Sequence, residues 1–209
     1  MSAPVTGVLL AGGQSRRMGG GDKCLLPVAG RPMLAHAIDR LAPQVSSLVL
    51  NANGPAERFA DFDLPIAPDS VAGFVGPLAG ILTGCRWAAA HHPDHRFIVT
   101  AAADTPFFPT DLVARLVDAA MEEETIVLAA SGGRTHPVFG LWPVGLADDL
   151  ENWLAVPENR KILTWVNRHP NKLVEFDTRV GEPAGDPFFN INTPEDLRHV
   201  ESLGTEHSP

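Results

Sequence analysis

The sequence has only two cysteines, Cys24 and Cys85, and it contains no CxxC or Cys/His spacing of the kind that binds a metal. Two isolated cysteines in 209 residues are typical of free thiols in a reducing compartment rather than of a disulfide framework. No apolar run approaches the roughly 20 residues that cross a bilayer. The first residues lack the basic segment of a signal peptide, so we expect a cytoplasmic protein without a membrane partner.

Positive charge is also scarce, because 16 Lys and Arg residues face 25 Asp and Glu residues, for a net charge of −9. This balance disfavours general binding to nucleic acid or to an anionic membrane. Any anion site must therefore be a local exception. The loop LAGGQSRRMGGGDK is such an exception, since it gathers Arg16, Arg17 and Lys23.

Several familiar catalytic and phosphate-binding motifs are missing. No GxSxG or Cys-His arrangement is present, which argues against acyl transfer, and the opening loop contains neither GK[ST] nor GxGxxG. Gly12 and Gly13 still allow backbone N–H groups to approach a ligand and form an anion-binding nest. Arg17 and Lys23 add charges suited to phosphates. On composition alone, a plain glycine-rich turn stays open as the alternative.

Strand-like and helix-like segments alternate along the chain. Apolar runs predict buried strands at Val5–Leu10, Leu48–Leu50 and Arg96–Ala101, each followed by a helical pattern. This alternation predicts an α/β fold with a mostly parallel sheet and helices on both faces. The later predicted elements are strands at Thr125–Ala130, Pro137–Trp142 and Lys172–Phe176, and helices at Leu146–Ala155, at Arg160–Asn167 and after a Thr193 cap.

The predicted domain organisation is simple. We expect a single domain over residues 1–203 and a disordered tail over residues 204–209. The Pro- and Gly-rich stretch Asn53–Gly76 reads as a loop-rich insertion that borders the site. Polar segments follow three predicted strands, and ligands of parallel sheets bind at the carboxyl ends of their strands. The sequence therefore predicts a site at that edge.

The order of short sequence motifs along the chain points to a protein family more specifically than the composition of the opening loop does. LAGG, then RMGGGDK, then LL resembles the signature of nucleotidyltransferases that join an NTP to a phosphorylated acceptor. RMGGxDKxLL resembles that of the molybdenum cofactor guanylyltransferases, the MobA proteins. The resemblance runs from about Val5 to Leu197, with Ala103 where the family often has cysteine. The further matches, in chain order, are NAN at 51–53, PDS at 68–70, GPLAGI at 76–81, ADTP at 103–106, HP at 136–137 and NINTP at 190–194.

The resemblance implies a three-layer, Rossmann-like nucleotidyltransferase fold and transfer of GMP from GTP to the phosphate of molybdopterin or its molybdenum-loaded form, with release of pyrophosphate. It also implies Mg²⁺ as cofactor, and molybdenum-insertion proteins and recipient molybdoenzymes as candidate partners. Two anions must be aligned in this reaction, so charge neutralisation matters more than a protein nucleophile.

The resemblance also assigns residues to the nucleotide. It implies catalytic roles for Arg17, Lys23 and Asp104, and it implies that Asp104 binds both the metal and the nucleotide. A carboxylate is a ligand that Mg²⁺ prefers, although a turn aspartate before Thr-Pro is the alternative. The remaining nucleotide-binding positions are Leu10, Ala11, Gly12, Gly13, Asn51 and Asp69.

Asp69 is the candidate for guanine recognition, because a carboxylate can accept from the N1–H and the 2-amino group. Asn190 and Asn192 are implied to complete the metal-phosphate site on the acceptor side. The pair Arg160–Lys161 resembles a basic pair that contacts the pterin phosphate. Ordinary turns, and for the basic pair a solvated helix face, remain as alternatives.

Three other functions stay open at this point. The first is a CTP-dependent molybdopterin cytidylyltransferase. The second is a sugar-phosphate or isoprenoid-pathway nucleotidyltransferase of the same fold. The third is a nucleotide-binding regulator without catalysis, against which the presence of both Lys23 and Asp104 argues.

Overall fold

The computed structural model describes residues 4–12, 22–71, 76–120, 124–178, 185–193, 195–198 and 200. Gly13, Arg16 and Arg17 of the opening loop lie outside the described residues, as does the tail that begins at Gly204. The roles predicted for these loop residues, and the domain boundary at residue 203, stay predictions. Within the described ranges, no helix combines the length and hydropathy needed to span a membrane.

The described chain alternates between short strands and helices. The strands are β1 (Val5–Leu10), β2 (Pro27–Val28), β3 (Arg31–Pro32), β4 (Ser47–Asn51), β5 (Ile66–Ala67), β6 (Phe97–Ala102), β7 (Ile126–Ser131), β8 (Arg134–Pro143) and β9 (Asn171–Phe176). The helices are α1 (Met33–Leu41), α2 (Pro77–His91), α3 (Leu112–Ala119), α4 (Ala147–Leu154) and α5 (Ile162–Val166).

Seven strands form one sheet in the order β5-β4-β1-β6-β8-β7-β9. All its neighbouring strands are parallel except that β8 runs antiparallel to both β6 and β7. The prediction of a mostly parallel sheet is confirmed. Between β7 and β8, Gly132 and Gly133 have φ of +55° and +75°, which suits the tight turn of an antiparallel hairpin.

Helices cover both faces of the sheet, as the alternation predicts. Successive residues of β1 point to opposite faces, so Leu9 packs with α1 and α3, whereas Val8 packs with α2, α4 and α5. The strand itself is a continuous buried run, because both of its faces are covered. The result is the three-layer arrangement expected from the sequence.

Several elements differ in detail from the predictions. The predicted helix at Arg160–Asn167 is α5, which is shorter and begins at Ile162. The predicted loop-rich insertion contains a 3-10 helix, Ala56–Phe62, and the edge strand β5. The β2-β3 hairpin was not predicted, because strands of two residues leave no periodic pattern.

The strand register brings three carboxyl ends to one edge of the sheet. Leu10, the last residue of β1, is level with Asn51 of β4 and with Ala102 of β6. Because these three strands are adjacent and parallel, the segments that follow them emerge side by side. This edge holds the polar residues of the candidate site.

Candidate functional site

The centre of the site is the ammonium group of Lys23. Lys23 opens a 3-10 helix, Lys23–Leu25, and its side chain is 9% exposed. Its Nζ donates to Asp104 Oδ2 at 2.6 Å and to the side-chain oxygens of Asn190 and Asn192, each at 2.7 Å. An ammonium group has three N–H donors, so all of them are used within the protein. The structure thus brings four of the predicted site residues into direct contact.

The backbone after β6 places Asp104. Ala103 N donates to Leu10 O at 3.1 Å, which extends the β1-β6 ladder by one residue past the strand. A turn follows, closed by Thr105 N donating to Ala102 O at 3.3 Å. These bonds hold the Asp104 carboxylate at the carboxyl end of the sheet, beside the Lys23 ammonium.

A helix cap places Asn192. Thr193 Oγ1 accepts from Asp196 N at 3.1 Å, and Asp196 Oδ2 accepts from Thr193 N at 2.8 Å. This reciprocal pair is the capping box predicted at Thr193, and residues 195–198, which follow it, are helical. Asp196 Oδ2 also accepts from Asn192 N at 2.8 Å. The cap therefore fixes the backbone from which Asn192 reaches Lys23.

Asp104 is the residue that the family resemblance assigns to a divalent cation, and this assignment stays a prediction. Its Oδ2 accepts from Lys23, and its side chain is 22% exposed, so the carboxylate is accessible from solvent. Within the described ranges, no group of three or more His, Cys, Asp or Glu side chains could hold a metal ion by itself. A cation here would take the rest of its shell from water and from a bound ligand, as Mg²⁺ usually does.

A second polar cluster lies at the end of β4. Asn51 Nδ2 donates to Asp69 Oδ1 at 2.9 Å and to Ala67 O at 3.0 Å. Asn53 Nδ2 donates to Asp69 Oδ2 at 2.8 Å, and Asn53 Oδ1 accepts from Asp69 N at 2.8 Å. Both carboxylate oxygens are thus oriented by an amide, and each keeps a further lone pair for a ligand donor.

Gly80 of α2 lets the helix approach this cluster closely. A Cβ at residue 80 would lie 2.4 Å from Asn51 Oδ1 and 2.6 Å from Leu10 Cδ2. Both side chains belong to strands that end at the site. The absence of a side chain at Gly80 therefore leaves room for the Asn51 amide and for Leu10.

We expect Gly80→Ala to lower both stability and ligand affinity. Overpacking of this kind costs about 1–3 kcal/mol, which lowers Tm by several degrees in a chain of this size. The matched control is Gly145→Ala, because nothing lies within 4 Å of a Cβ at residue 145. Thermal unfolding and nucleotide titration of both variants check this, and an unchanged Tm in Gly80→Ala would contradict the close approach.

Two backbone groups at the end of β1 form hydrogen bonds within the protein. Ala11 N donates to Asn51 O at 2.9 Å, and Leu10 O accepts from Ala103 N. The N–H of Ala11 is therefore engaged within the sheet, and the nucleotide-binding role predicted for Ala11 stays a prediction. Gly12 is exposed, and a Cβ there would meet no atom of the described residues within 4 Å. Gly13 and Arg17 lie outside the described residues.

Arg160 is not brought to the Lys23 cluster. Its Nη1 lies 3.4 Å from the carbonyl oxygens of Leu154, the last residue of α4, and of Val156 and Asn159 on the loop that follows. Lys161 is exposed on the same loop. No described contact links this basic pair with Asp104 or the asparagines.

Sequence reasoning missed two contributors at this edge. Asn53 orients Asp69. The sequence signal that could have identified Asn53 is its position two residues after Asn51. Arg58 forms an ion pair with Asp22, the residue before Lys23, and also donates to Asn53 O. Arg58 thereby ties the Lys23 segment to the Asn53 segment. A contact between residues so far apart leaves no pattern in the sequence.

The two cysteines are free, as expected, and the structure places both of them in buried positions. Burial raises the pKa of the Cys24 thiol to about 12, with further raising from Asp22 and Asp104. Burial likewise raises the pKa of Cys85 to about 12. Both thiols are protonated at neutral pH, so neither is a nucleophile.

Comparisons with a family model and with known proteins agree on the family of this chain. Residues 7–172 match the family model of the MobA-like NTP transferase domain. The chain is 53% identical over 200 residues to a molybdenum cofactor guanylyltransferase of Bradyrhizobium sp., covering 95% of this chain and 92% of that protein.

Two solved structures share the fold. Molybdopterin-guanine dinucleotide biosynthesis protein A of Archaeoglobus fulgidus matches with a TM-score of 0.72 at 24% identity, covering 97% of this chain and 100% of that one. A manganese complex of Rv0371C from Mycobacterium tuberculosis matches with a TM-score of 0.62 at 22% identity, covering 95% and 98%.

Proposed function

The chain belongs to the MobA-like NTP transferase family, and we propose on this basis that it transfers GMP from GTP to the phosphate of molybdopterin. The products are the guanine dinucleotide form of the cofactor and pyrophosphate. The name of its 53% identical relative, molybdenum cofactor guanylyltransferase, supports this activity. The observation that carries the proposal is the 2.6 Å contact between Lys23 and Asp104 at the end of the sheet.

The reaction needs no nucleophile from the protein. An oxygen of the acceptor phosphate forms a bond to the α-phosphorus, while the bond from the α-phosphorus to the α–β bridging oxygen breaks. The electron pair of that bond leaves with pyrophosphate. The barrier arises mainly from bringing two anions together and from the developing charge, so fixed cations and alignment lower it.

Lys23 supplies one such fixed charge. All three of its N–H donors are engaged by Asp104, Asn190 and Asn192. Binding to a phosphate oxygen therefore requires that one of these bonds is exchanged for a bond to the ligand. The other two bonds keep the ammonium in place, so little reorganisation accompanies the exchange. Arg17 is proposed to add a second positive charge from the opening loop, along with N–H groups from Gly12 and Gly13.

Asp104 fits the divalent cation on which this family depends. Its carboxylate is a hard oxygen ligand, and the neighbouring amide oxygens of Asn190 and Asn192 are of the same chemical kind. We propose Mg²⁺ as that ion; a relative of the same fold is a manganese complex. When bound, the ion neutralises charge on the phosphate oxygens.

Asp69 is proposed to read the guanine base. Its two carboxylate oxygens, oriented by Asn51 and Asn53, can each accept one further hydrogen bond. Guanine presents two adjacent donors, N1–H and the 2-amino group, and cytosine lacks this pair. Asp69 is partly exposed in the free protein, and a bound base that covered its carboxylate without offering a donor would be penalised.

We expect Asp69→Asn to weaken selection of guanine. An amide in place of the carboxylate presents a donor toward a guanine donor, so the KM for GTP should rise by about tenfold or more. Inosine triphosphate is the control substrate, because it differs from GTP only in lacking the 2-amino group. The wild-type protein should prefer GTP to it, and the variant should lose most of that preference. An unchanged ratio of kcat/KM values would remove Asp69 from base recognition.

The function itself is tested by incubating purified protein with molybdopterin, Mg²⁺ and either GTP or CTP. We expect the guanine dinucleotide and pyrophosphate with GTP only. Product formed only with CTP would reassign the protein as a cytidylyltransferase, and nucleotide binding without product would indicate a regulator. The cytoplasmic location, the acceptor contact of Arg160 and the partnership with molybdenum-insertion proteins and recipient molybdoenzymes stay predictions.

A further inference from the structure

A cavity of about 370 Å³ adjoins the Lys23 cluster on the side of β8. Asn190 and Asn192 line the cavity, and their side-chain oxygens also accept from Lys23. The opposite wall comes from β8 between Arg134 and Phe139, where the register with β7 shifts and leaves extra residues on β8. A bulge of this kind turns side chains out of the regular alternation.

A chain of hydrogen-bonded polar groups reaches the wall of this cavity, in which Ser131 and His136 are buried and Asp186 is partly exposed. Ser131 Oγ donates to Asp186 Oδ1 at 2.8 Å and lies 2.7 Å from His136 Nε2. Asp186 Oδ1 also accepts from Phe188 N at 2.9 Å. The arrangement differs from a nucleophilic triad, because Ser131 and Asp186 both approach the same ring nitrogen, at 2.7 and 3.8 Å.

The hydrogen bonds define the tautomer of His136. A serine hydroxyl has one hydrogen, and Ser131 directs it to Asp186. Nε2 of His136 must then carry the hydrogen that reaches Ser131 Oγ, and Nδ1 is left with its lone pair. Burial lowers the pKa of His136, against the opposing effect of Asp186, so the neutral ring prevails at pH 7. Within the described ranges, Nδ1 makes no hydrogen bond to the protein.

We propose that His136 is a specificity-determining residue for the acceptor, and that its Nδ1 accepts a hydrogen bond from a ring N–H or amine of a planar heterocycle in this cavity. This inference rests on the proposed function, whose acceptor carries a pterin. Aromatic side chains support the assignment, since the rings of His136 and Phe188 lie 4.6 Å apart and Phe139 lies 4.8 Å from Phe188. Such a wall suits a flat ligand, and one fixed acceptor selects its donor edge.

Two substitutions test the roles of the two ring nitrogens of His136 separately. In His136→Gln the amide nitrogen can replace Nε2 and keep the bond to Ser131, but the acceptor at Nδ1 is lost. In His136→Asn the amide oxygen can replace Nδ1. We expect the KM for molybdopterin to rise about tenfold in His136→Gln and by less than about threefold in His136→Asn. The KM for GTP should stay within about twofold of wild type in both variants.

The controls distinguish this proposal from a structural role. Equal molybdopterin KM values in wild type and His136→Gln would overturn it, as would a parallel rise in both KM values with a lower Tm. If His136→Gln fails to fold, NMR of the isotope-labelled wild-type ring decides, because a hydrogen on Nδ1 contradicts the proposal and a hydrogen on Nε2 supports it. A wild-type protein that makes no dinucleotide contradicts the proposed function itself, which is a separate result.

Discussion

Asp104→Asn is expected to lower kcat by about a thousandfold or more while the protein stays folded. The substitution removes the negative charge that would hold the divalent cation, and single electrostatic groups of this kind are worth about 10²–10³ in rate before the loss of the metal is added. The amide oxygen of asparagine can still accept from Lys23, so a hydrogen bond can form in place of the 2.6 Å ion pair. Steady-state assays with GTP and molybdopterin measure the effect.

The matched control is Asp118→Asn, because Asp118 is an exposed aspartate on α3. It should have the turnover and Tm of the wild-type protein. Metal titration adds a second measurement, since the Mg²⁺ concentration for half-maximal rate should rise in Asp104→Asn and not in the control. Full turnover in Asp104→Asn would show that the cation is held elsewhere.

Lys23→Met is expected to lower kcat/KM for GTP by about a hundredfold or more, because it removes the charge proposed to meet the phosphates. It should also destabilise the protein by about 1–3 kcal/mol. In the wild-type protein, Asp104 and the two asparagines direct three oxygens at one ammonium. Without it, three acceptors face one another with no donor. Lys172→Met, on β9, is the control for loss of a lysine.

A double variant tests whether the two residues act together. If Lys23 and Asp104 form one unit, Lys23→Met with Asp104→Asn should lose less stability than the sum of the single variants, because residues in contact are not additive. The neutral amide repels its neighbours less than the carboxylate does. Strict additivity in thermal unfolding would mean that the ion pair contributes nothing to the folded state. Unchanged kinetics in Lys23→Met would remove the lysine from the reaction.

Much of the fold is predictable from local patterns. The run Val5–Leu10 is predicted as a buried strand because it is apolar apart from Thr6, and the structure covers it on both faces. The cap at Thr193 is read from Thr-Pro-Glu-Asp, and the structure contains its reciprocal bonds. Both features depend on residues within a few positions of one another. Short or solitary elements, such as β5 and the β2-β3 hairpin, lack enough residues to show a period.

The sequence by itself determined the fold class, the family and the candidate site residues, because strand, helix and loop signals are local and the motifs keep their order along the chain. The tertiary structure alone decided which candidates meet. Lys23 contacts Asp104 and Asn190, 81 and 167 positions away, whereas Arg160 contacts carbonyl groups at the end of α4 and on its own loop. It also decided that Ser131 and Asp186 orient His136. Such contacts follow from strand order and helix packing, which sum over the whole core, so no single stretch of sequence encodes them.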